Sequence, residues 1–347
     1  MIYLQTKDIP IQNIYYMLMY SWDRAKEIES IDINNIEGNN LYDLLSLVLT
    51  KSISKIIKKG TYKEYKSCYE ETSSLRGKIN FDDSLKRNSF RNGKAFCEFD
   101  EFSDDVIHNQ ILKYTMYNIL KSKEISKVIK SDIMKVYHYF NGVSLVRVNK
   151  VYFNNLKLHK NNLHYKLSLD ICNLIYNNMM PDESDGRITF KQFYREDREM
   201  AYIFENFVRN FYNRHLENCR VVRENISWDA QGDNLGFLPI MQTDITIKEK
   251  SRVTIMDTKY YRNSLSRNME REKFHSNNLY QIFSYLKNAE SKGEIYNSSR
   301  GILLYPQVDR YLDEDYDVQG HKIKVCTLNL NEEWESIHNR LLEIYNS

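Results

Sequence analysis

The sequence feature that most constrains the fold is the segment QTDITIKEKSRVTIMDTKYY at residues 242–261. Its two apolar, β-branched runs predict strands, and the polar KEKSR between them predicts a tight antiparallel connection. These predicted strands are residues 243–247 and 253–260. Residues two apart on a strand face the same side, so Asp257 and Lys259 project together. The hairpin also brings Asp244 close to them, which predicts two carboxylates and an ammonium at one point.

This group of side chains suits metal-dependent hydrolysis of a phosphodiester. Asp244 and Asp257 are candidate ligands for Mg²⁺, which keeps several waters and takes only one or two carboxylates. Such a metal lowers the pKa of a bound water and neutralises charge on the phosphate. Lys259 would orient or deprotonate the attacking water and stabilise the developing charge. We therefore predict a Mg²⁺ cofactor, for which Mn²⁺ can substitute.

Helices on either side of the hairpin add further candidate site residues. A helix predicted at residues 278–288 carries Gln281 and Tyr285 one turn apart on one face, where they are candidates to bind DNA phosphate or to hold the lysine. The preceding helix, predicted at residues 201–215, carries Glu205 beside an aromatic stripe. Glu205 is a candidate third acidic ligand or, alternatively, the ion-pair partner of Arg209.

The order of predicted elements indicates two domains. The second half reads α-β-β-β-α-β-β-α, which predicts a mixed sheet flanked by helices. In the first half, helices are predicted at residues 13–22, 41–57, 106–125 and 163–177, with strands between 61 and 102. The boundary is predicted at residues 177–187, NNMMPDESDGR, where Pro, Gly and acidic residues cluster. The expected domains are 1–180, of mixed α+β structure, and 188–347.

Composition excludes several classes of protein. The net charge of +2 rules out a histone-like polycation but not a basic cleft for nucleic acid on a neutral body. With 27 Tyr and 15 Phe, the chain has enough apolar area to fold. Its five scattered cysteines form no Cys-x-x-Cys pair, which favours reduced thiols over a zinc ribbon. The apolar run at residues 14–20 is too short to cross a bilayer, so we expect a cytoplasmic protein without membrane association.

Taken together, Asp244, Asp257-Thr-Lys259, Gln281-x-x-x-Tyr285 and the upstream Glu205 resemble the RecB-like signature of PD-(D/E)xK nucleases. Other segments resemble the McrC family, the nuclease subunit of McrBC-type restriction systems. These segments are IPIQNIYYMLMYSWD, SLRGKINF, CEFDEFSDDVIHNQILKYT and FENFV. The resemblance implies an α/β fold that is α+β when the whole chain is considered. The C-terminal domain is expected to be a restriction-endonuclease-like mixed sheet flanked by helices, and a mixed α+β domain is expected to precede it.

The resemblance also implies partners. Members of the family pair with an McrB-like AAA+ ring that hydrolyses GTP and carries the DNA-recognition domain, while the McrC-like subunit cuts double-stranded DNA. Its N-terminal domain inserts into the ring and stimulates hydrolysis. Consistently, the chain has no GxxxxGK[ST] segment, so we expect it to bind no nucleotide itself.

Two alternatives to this reading remain. The chain could be a catalytically silent activator of the motor, although Asp244, Asp257 and Lys259 favour a nuclease because a silent scaffold needs no buried carboxylates. It could also belong to a site-specific, multi-subunit type II enzyme of the BsuMI or LlaJI kind rather than to a type IV system.

Overall fold

The computed structural model describes residues 9–30, 41–181, 188–190, 197–260, 265–268, 271–308 and 310–347. Most of the acidic stretch in the predicted domain boundary, residues 182–187, lies outside these ranges. Within them, no helix is long and apolar enough to cross a membrane. The predicted mixed α+β fold is confirmed, since helices and strands occur in both halves of the chain.

The helices follow the apolar periodicity of the sequence. In the described ranges the α-helices are α1 (Ile11–Ser21), α2 (Leu41–Lys59), α3 (Phe81–Lys86), α4 (Ile107–Lys121), α5 (Lys127–Tyr137), α6 (Lys150–Asn154), α7 (Lys166–Asn178), α8 (Asp197–His215), α9 (Ser276–Ala289) and α10 (Trp334–Asn346). As predicted, α2 stops before Gly60, whose φ of +98° suits glycine. The sequence analysis did not anticipate α5, which begins where the Ser126 side chain accepts a hydrogen bond from the Ile129 amide.

The strands form one large sheet and several small ones. The described strands are β1 (Glu64–Thr72), β2 (Lys78–Asn80), β3 (Ala95–Ser103), β4 (Met179–Pro181), β5 (Ile188–Phe190), β6 (Arg220–Val222), β7 (Asn225–Ile226), β8 (Met241–Gln242), β9 (Ile245–Lys248), β10 (Val253–Thr258), β11 (Leu265–Asn268), β12 (Arg271–Phe274), β13 (Arg300–Pro306), β14 (Asp313–Val318) and β15 (His321–Leu328). The first strand of the predicted α-β-β-β order, for which the sequence pattern indicates residues 219–228, is in fact two short strands, β6 and β7, which lie in different sheets.

The large sheet has the order β14-β15-β13-β10-β9-β6. Its centre, β10, β13 and β15, is parallel, while β14, β9 and β6 pair antiparallel at the two sides. Helix α9 connects β10 to β13 and packs on them through Ile282 and Leu286. A Cβ on Gly301 would lie 2.9 Å from both side chains, so glycine at this position permits the close approach of helix and strand.

Two compact units divide the chain differently from the predicted domains 1–180 and 188–347. One unit is residues 40–191, and the other joins residues 1–39 to residues 192–347. The physical reason lies in α1, which packs on the second half. The Asn13 side-chain amide donates to the carbonyls of Leu330 (2.9 Å) and Glu332 (2.7 Å), and the Tyr16 ring stacks on Trp334 at 4.6 Å.

In the unit of residues 40–191, buried helices accompany a three-stranded antiparallel sheet of order β1-β3-β2. Strands β1 and β3, which we call the β-arm, pair along nine residues each. Gly77, in the SLRGKINF segment, approaches β3 so closely that a Cβ would lie 2.2 Å from the Glu98 carbonyl oxygen. Its φ of +62° also favours glycine.

Candidate active site

The hairpin of β9 and β10 places the two predicted aspartates opposite each other. The last pair of the ladder is Met256 with Ile245. Continuing that register by one residue pairs Asp257 with Asp244. Directly opposed residues of an antiparallel pair have Cβ atoms about 5 Å apart on one face of the sheet. The expectation that the hairpin brings both carboxylates together is therefore met by the strand register.

Asp257 is an ionisable side chain with no access to solvent. All six residues of β10 are buried, and Asp257 is 0% exposed. The Lys259 ammonium lies 2.8 Å from its Oδ2 atom. Beyond this ion pair, neither carboxylate oxygen finds a hydrogen-bond donor among the described residues. Burial, and then the charge of Asp244, raise the pKa of Asp257 to about 7, against the opposing effect of Lys259.

Asp244 is oriented by the residue between Asp257 and Lys259. Both the backbone amide of Thr258 (2.9 Å) and its hydroxyl (3.1 Å) donate to Asp244 Oδ2. Burial raises the pKa of Asp244, and so does the charge of Glu205, while the hydrogen bonds from Thr258 lower it. The sequence analysis missed the orienting role of Thr258, although its position inside Asp-Thr-Lys was the available signal.

The aspartate pair fits a divalent cation. A buried carboxylate that faces a second carboxylate and is paired with one ammonium is costly to ionise, and a bound cation would lower that cost. Asp257 and Asp244 supply oxygen atoms of the kind that Mg²⁺ accepts, with waters filling the other positions. In the parts of the chain that are described, no three His, Cys, Asp or Glu side chains form a group able to hold a metal. The fit is therefore to two carboxylates.

Glu205 faces arginines. Its Oε1 atom accepts from Arg209 at 2.9 Å and also from Arg223. Pairing with Arg209 was the alternative that the sequence left open. Nevertheless, the charge of Glu205 contributes to the raised pKa of both Asp244 and Asp257, so it lies near them. A role for Glu205 as third metal ligand stays a prediction.

Gln281 and Tyr285 share one face of α9, as the helical spacing predicts, and Tyr285 of this face contacts the chain near Asp244. The Gln281 amide donates to the Tyr285 hydroxyl (2.7 Å), which donates to the carbonyl of Gln242 (3.0 Å). Burial raises the pKa of Tyr285, with contributions from the charges of Asp257 and Asp244. Because Tyr285 is buried and its hydroxyl is engaged, it braces the chain two residues before Asp244. Contact of Tyr285 with DNA stays a prediction.

Residues 5–306 match the family described as McrBC 5-methylcytosine restriction system component. The chain belongs to the McrBC family. One relative with a similar sequence is the type IV methyl-directed restriction enzyme EcoKMcrBC of Escherichia coli K12. It is 34% identical over 345 residues, which are 97% of this chain and 97% of the relative. The resemblance drawn from the Asp-Thr-Lys segment and the N-terminal motifs is thereby confirmed.

A solved McrBC assembly shows the same fold. The refined half-complex from the tetradecameric assembly of Thermococcus gammatolerans McrB AAA+ hexamers with bound McrC matches with a TM-score of 0.63 and 15% identity. The match covers 97% of this chain and 76% of that one. The McrBC family match spans both compact units, including the β-arm and the aspartate pair. The chain is therefore a component of a McrBC-type restriction system.

Proposed function

We propose that this protein is the Mg²⁺-dependent endonuclease subunit of its restriction system and hydrolyses phosphodiester bonds of double-stranded DNA. The observation that carries the proposal is the buried carboxylate of Asp257, which lies opposite Asp244 and has, among the described residues, the Lys259 ammonium at 2.8 Å as its partner. Burial of such a carboxylate lowers the stability of the fold, and groups of this kind are typical of functional sites such as metal sites.

Each side chain has a defined part in this reaction. Asp244 and Asp257 would hold the metal, which when bound polarises the phosphate and acidifies a water. Thr258 keeps Asp244 in one orientation through two hydrogen bonds to a single oxygen. Lys259, whose ammonium is at the aspartate edge, donates to the attacking water or to a phosphate oxygen. Tyr285 braces the backbone before Asp244 and so limits its movement.

We also propose that the compact unit of residues 40–191, which overlaps most of the predicted motor-binding domain of residues 1–180, engages an AAA+ GTPase ring. The related half-complex contains McrB AAA+ hexamers with bound McrC, which supports this assignment. The β-arm supplies a suitable surface because β1 has no fully buried residue. Two of its aromatic side chains, Tyr65 of β1 and Phe102 of β3, are also exposed. The nucleotide would then be bound by the partner.

The relatives support a proposal for the DNA target. The E. coli enzyme is a type IV methyl-directed restriction enzyme, and the family is described as a component of a 5-methylcytosine restriction system. We therefore propose that this protein belongs to a type IV system that acts on DNA containing methylated cytosine. Digestion of matched duplexes, identical except for 5-methylcytosine, tests this choice in the presence of the motor. Preference for the unmethylated duplex would instead support the site-specific type II alternative.

The nuclease assignment is tested by the variants Asp257→Ala and Lys259→Ala in the full chain, assayed with its AAA+ partner. We expect cleavage to slow by about a thousandfold or more, since several kcal/mol of transition-state stabilisation are lost. Stimulation of GTP hydrolysis should persist. The matched control is Lys250→Ala, an exposed lysine in the turn of the same hairpin. Cleavage within about tenfold of wild type in either site variant would contradict the assignment and favour a silent activator.

A further inference from the structure

A single carboxylate beside the aspartate pair is shared by two guanidinium groups. Glu205 Oε1 accepts from Arg209, one turn further along α8, and from Arg223, which follows β6. Among the described residues, neither arginine forms an ion pair with any other carboxylate. Two positive charges therefore face one negative charge at the edge of the candidate active site. Within this group of three side chains one guanidinium is in excess over the carboxylate, so an incoming anion could take over one of the two arginines.

The two arginines differ in their access to solvent. The Arg209 side chain is 18% exposed and is also held by Asn206, whereas the Arg223 side chain is 38% exposed. Burial lowers the pKa of Arg209, and the neighbouring charge of Arg223 lowers it further. Arg223 is therefore the guanidinium that can reach an incoming anion, and its departure would relieve repulsion between the two like charges.

The arginine pair lies beside the proposed metal ligands. Glu224, the residue after Arg223, exchanges hydrogen bonds with Thr243, the residue before Asp244: its carbonyl accepts from the Thr243 amide (2.9 Å), and its amide donates to the Thr243 hydroxyl (3.0 Å). The ring of Phe204, the residue before Glu205, lies 6.0 Å from the ring of Tyr260, the residue after Lys259. These contacts keep this part of α8 against the end of β10. A phosphate near the scissile position would thus lie within the field of Arg223.

We infer that Arg223 is a DNA-phosphate ligand that leaves Glu205 when DNA binds, and that this exchange makes Glu205 available to the site metal. The inference rests on the proposed nuclease function. A guanidinium fork matches phosphate oxygens as well as it matches a carboxylate, so the exchange replaces one charge-assisted contact by another. It also explains how Glu205 can lie close to the aspartates and yet form no three-ligand group with them. DNA binding and tight metal binding are thereby coupled.

The inference is tested by titrating the full chain with Mn²⁺ in the absence of DNA. Electron paramagnetic resonance measures the concentration of free Mn²⁺ at each step of the titration. Arg223→Gln should bind Mn²⁺ about fivefold or more tightly than wild type, since Glu205 loses one of its two competitors. The gain should disappear in the double variant Arg223→Gln/Glu205→Gln, because the released carboxylate is gone. The matched control is Arg214→Gln, an exposed arginine on α8 without an ion pair to Glu205 in the described contacts.

A second arm measures affinity for a short DNA duplex in Ca²⁺ by fluorescence anisotropy. Arg223→Gln should weaken DNA binding and reduce its salt dependence by about one phosphate contact, whereas Arg214→Gln should not. Unchanged or weaker Mn²⁺ binding by Arg223→Gln, or equal gains in the single and double variants, would overturn the exchange. The nuclease proposal fails separately, if Asp257→Ala retains both Mn²⁺ binding and cleavage.

Discussion

Strand β10 and strand β1 belong to the same chain and have opposite environments. Every residue of β10 is buried, including the carboxylate of Asp257, its second-last residue. Along β1, no residue is fully buried, although it pairs with β3 over nine residues. In β10 the surroundings set the chemistry, because burial raises the pKa of Asp257 and creates the need for a cation. In the β-arm the backbone ladder maintains the strands, and the side chains are left for contact with other molecules.

This contrast predicts that stability and function are coupled in the sheet and separate in the β-arm. A buried side chain touches many neighbours, so its loss leaves a cavity and shifts adjacent groups. An exposed one has few neighbours within its own chain. Four substitutions test the contrast, beginning with the largest expected effect on the folded state.

Leu303→Ala should have the largest effect. Leu303 is fully buried in β13 and pairs with Asp257 across the parallel ladder. Large-to-small changes of this kind cost about 2–5 kcal/mol of unfolding free energy. The three tryptophans, Trp22, Trp228 and Trp334, all belong to the unit that contains β13, so their fluorescence during urea unfolding reports the loss. The exposed Leu235→Ala is the control and should change stability by less than about 0.5 kcal/mol.

Asp257→Asn should make the metal-free protein more stable, and more so at high pH. The folded pKa of Asp257 is raised to about 7, so between the ordinary carboxyl pKa and pH 7 the folded state holds a proton that the unfolded state releases. Wild-type stability therefore falls as pH rises through this window, and the fall ends above pH 7. From pH 5 to pH 8 the advantage of the variant should grow by roughly 2–3 kcal/mol.

The free energy of unfolding is measured by urea unfolding at pH 5 and at pH 8, with a chelator present to keep the protein free of metal. The control is Asp233→Asn, a change at an exposed aspartate. An advantage that is independent of pH would show that Asp257 is ionised in the folded protein at pH 5. Cleavage should be lost in the Asp257→Asn variant at both pH values, so its stability and its activity change in opposite directions.

Thr258→Val should lower the free energy of unfolding less than Leu303→Ala does, and it should raise the Mg²⁺ concentration that cleavage requires. It removes the hydroxyl that donates to Asp244 Oδ2 at 3.1 Å and retains the backbone amide that donates at 2.9 Å. One charge-assisted hydrogen bond is worth about 1.5 kcal/mol, so the Mg²⁺ concentration for half-maximal cleavage should rise about tenfold. Thr258→Ser keeps the hydroxyl and should restore the wild-type value. Equal behaviour of Val and Ser would mean that the backbone amide alone orients Asp244.

Local sequence patterns were sufficient to predict the hairpin of β9 and β10 but not the longer-range contacts. Asp244 and Asp257 are 13 positions apart and joined by a short turn, so strand periodicity was enough to bring them together. Glu205 and Arg223 meet across two elements, where no pattern fixes their distance. The contact of Asn13 with the Leu330 carbonyl spans 317 positions. Strand β14, with its acidic and exposed sequence, shows no apolar alternation and was not predicted.

Phe102→Ala in the β-arm should have the smallest effect on the fold and a large one on partner activation. The Phe102 side chain is 56% exposed and contacts Tyr65 across the ladder, with ring centroids 5.0 Å apart. An exposed cross-strand aromatic pair contributes at most about 1 kcal/mol, so thermal unfolding followed by circular dichroism should change little. If the β-arm binds the AAA+ ring, removal of this ring should reduce stimulation of GTP hydrolysis several-fold, because exposed aromatic groups often carry binding energy. The control is Tyr139→Ala, an aromatic residue of the same unit that lies outside the β-arm and is 66% exposed. Normal stimulation of GTP hydrolysis by Phe102→Ala, or an equal loss of stimulation in Tyr139→Ala, would place the contact with the ring elsewhere in residues 40–191. The exposed side chains of the β-arm would then have no part in partner binding, in contrast to what the comparison of β10 with β1 predicts.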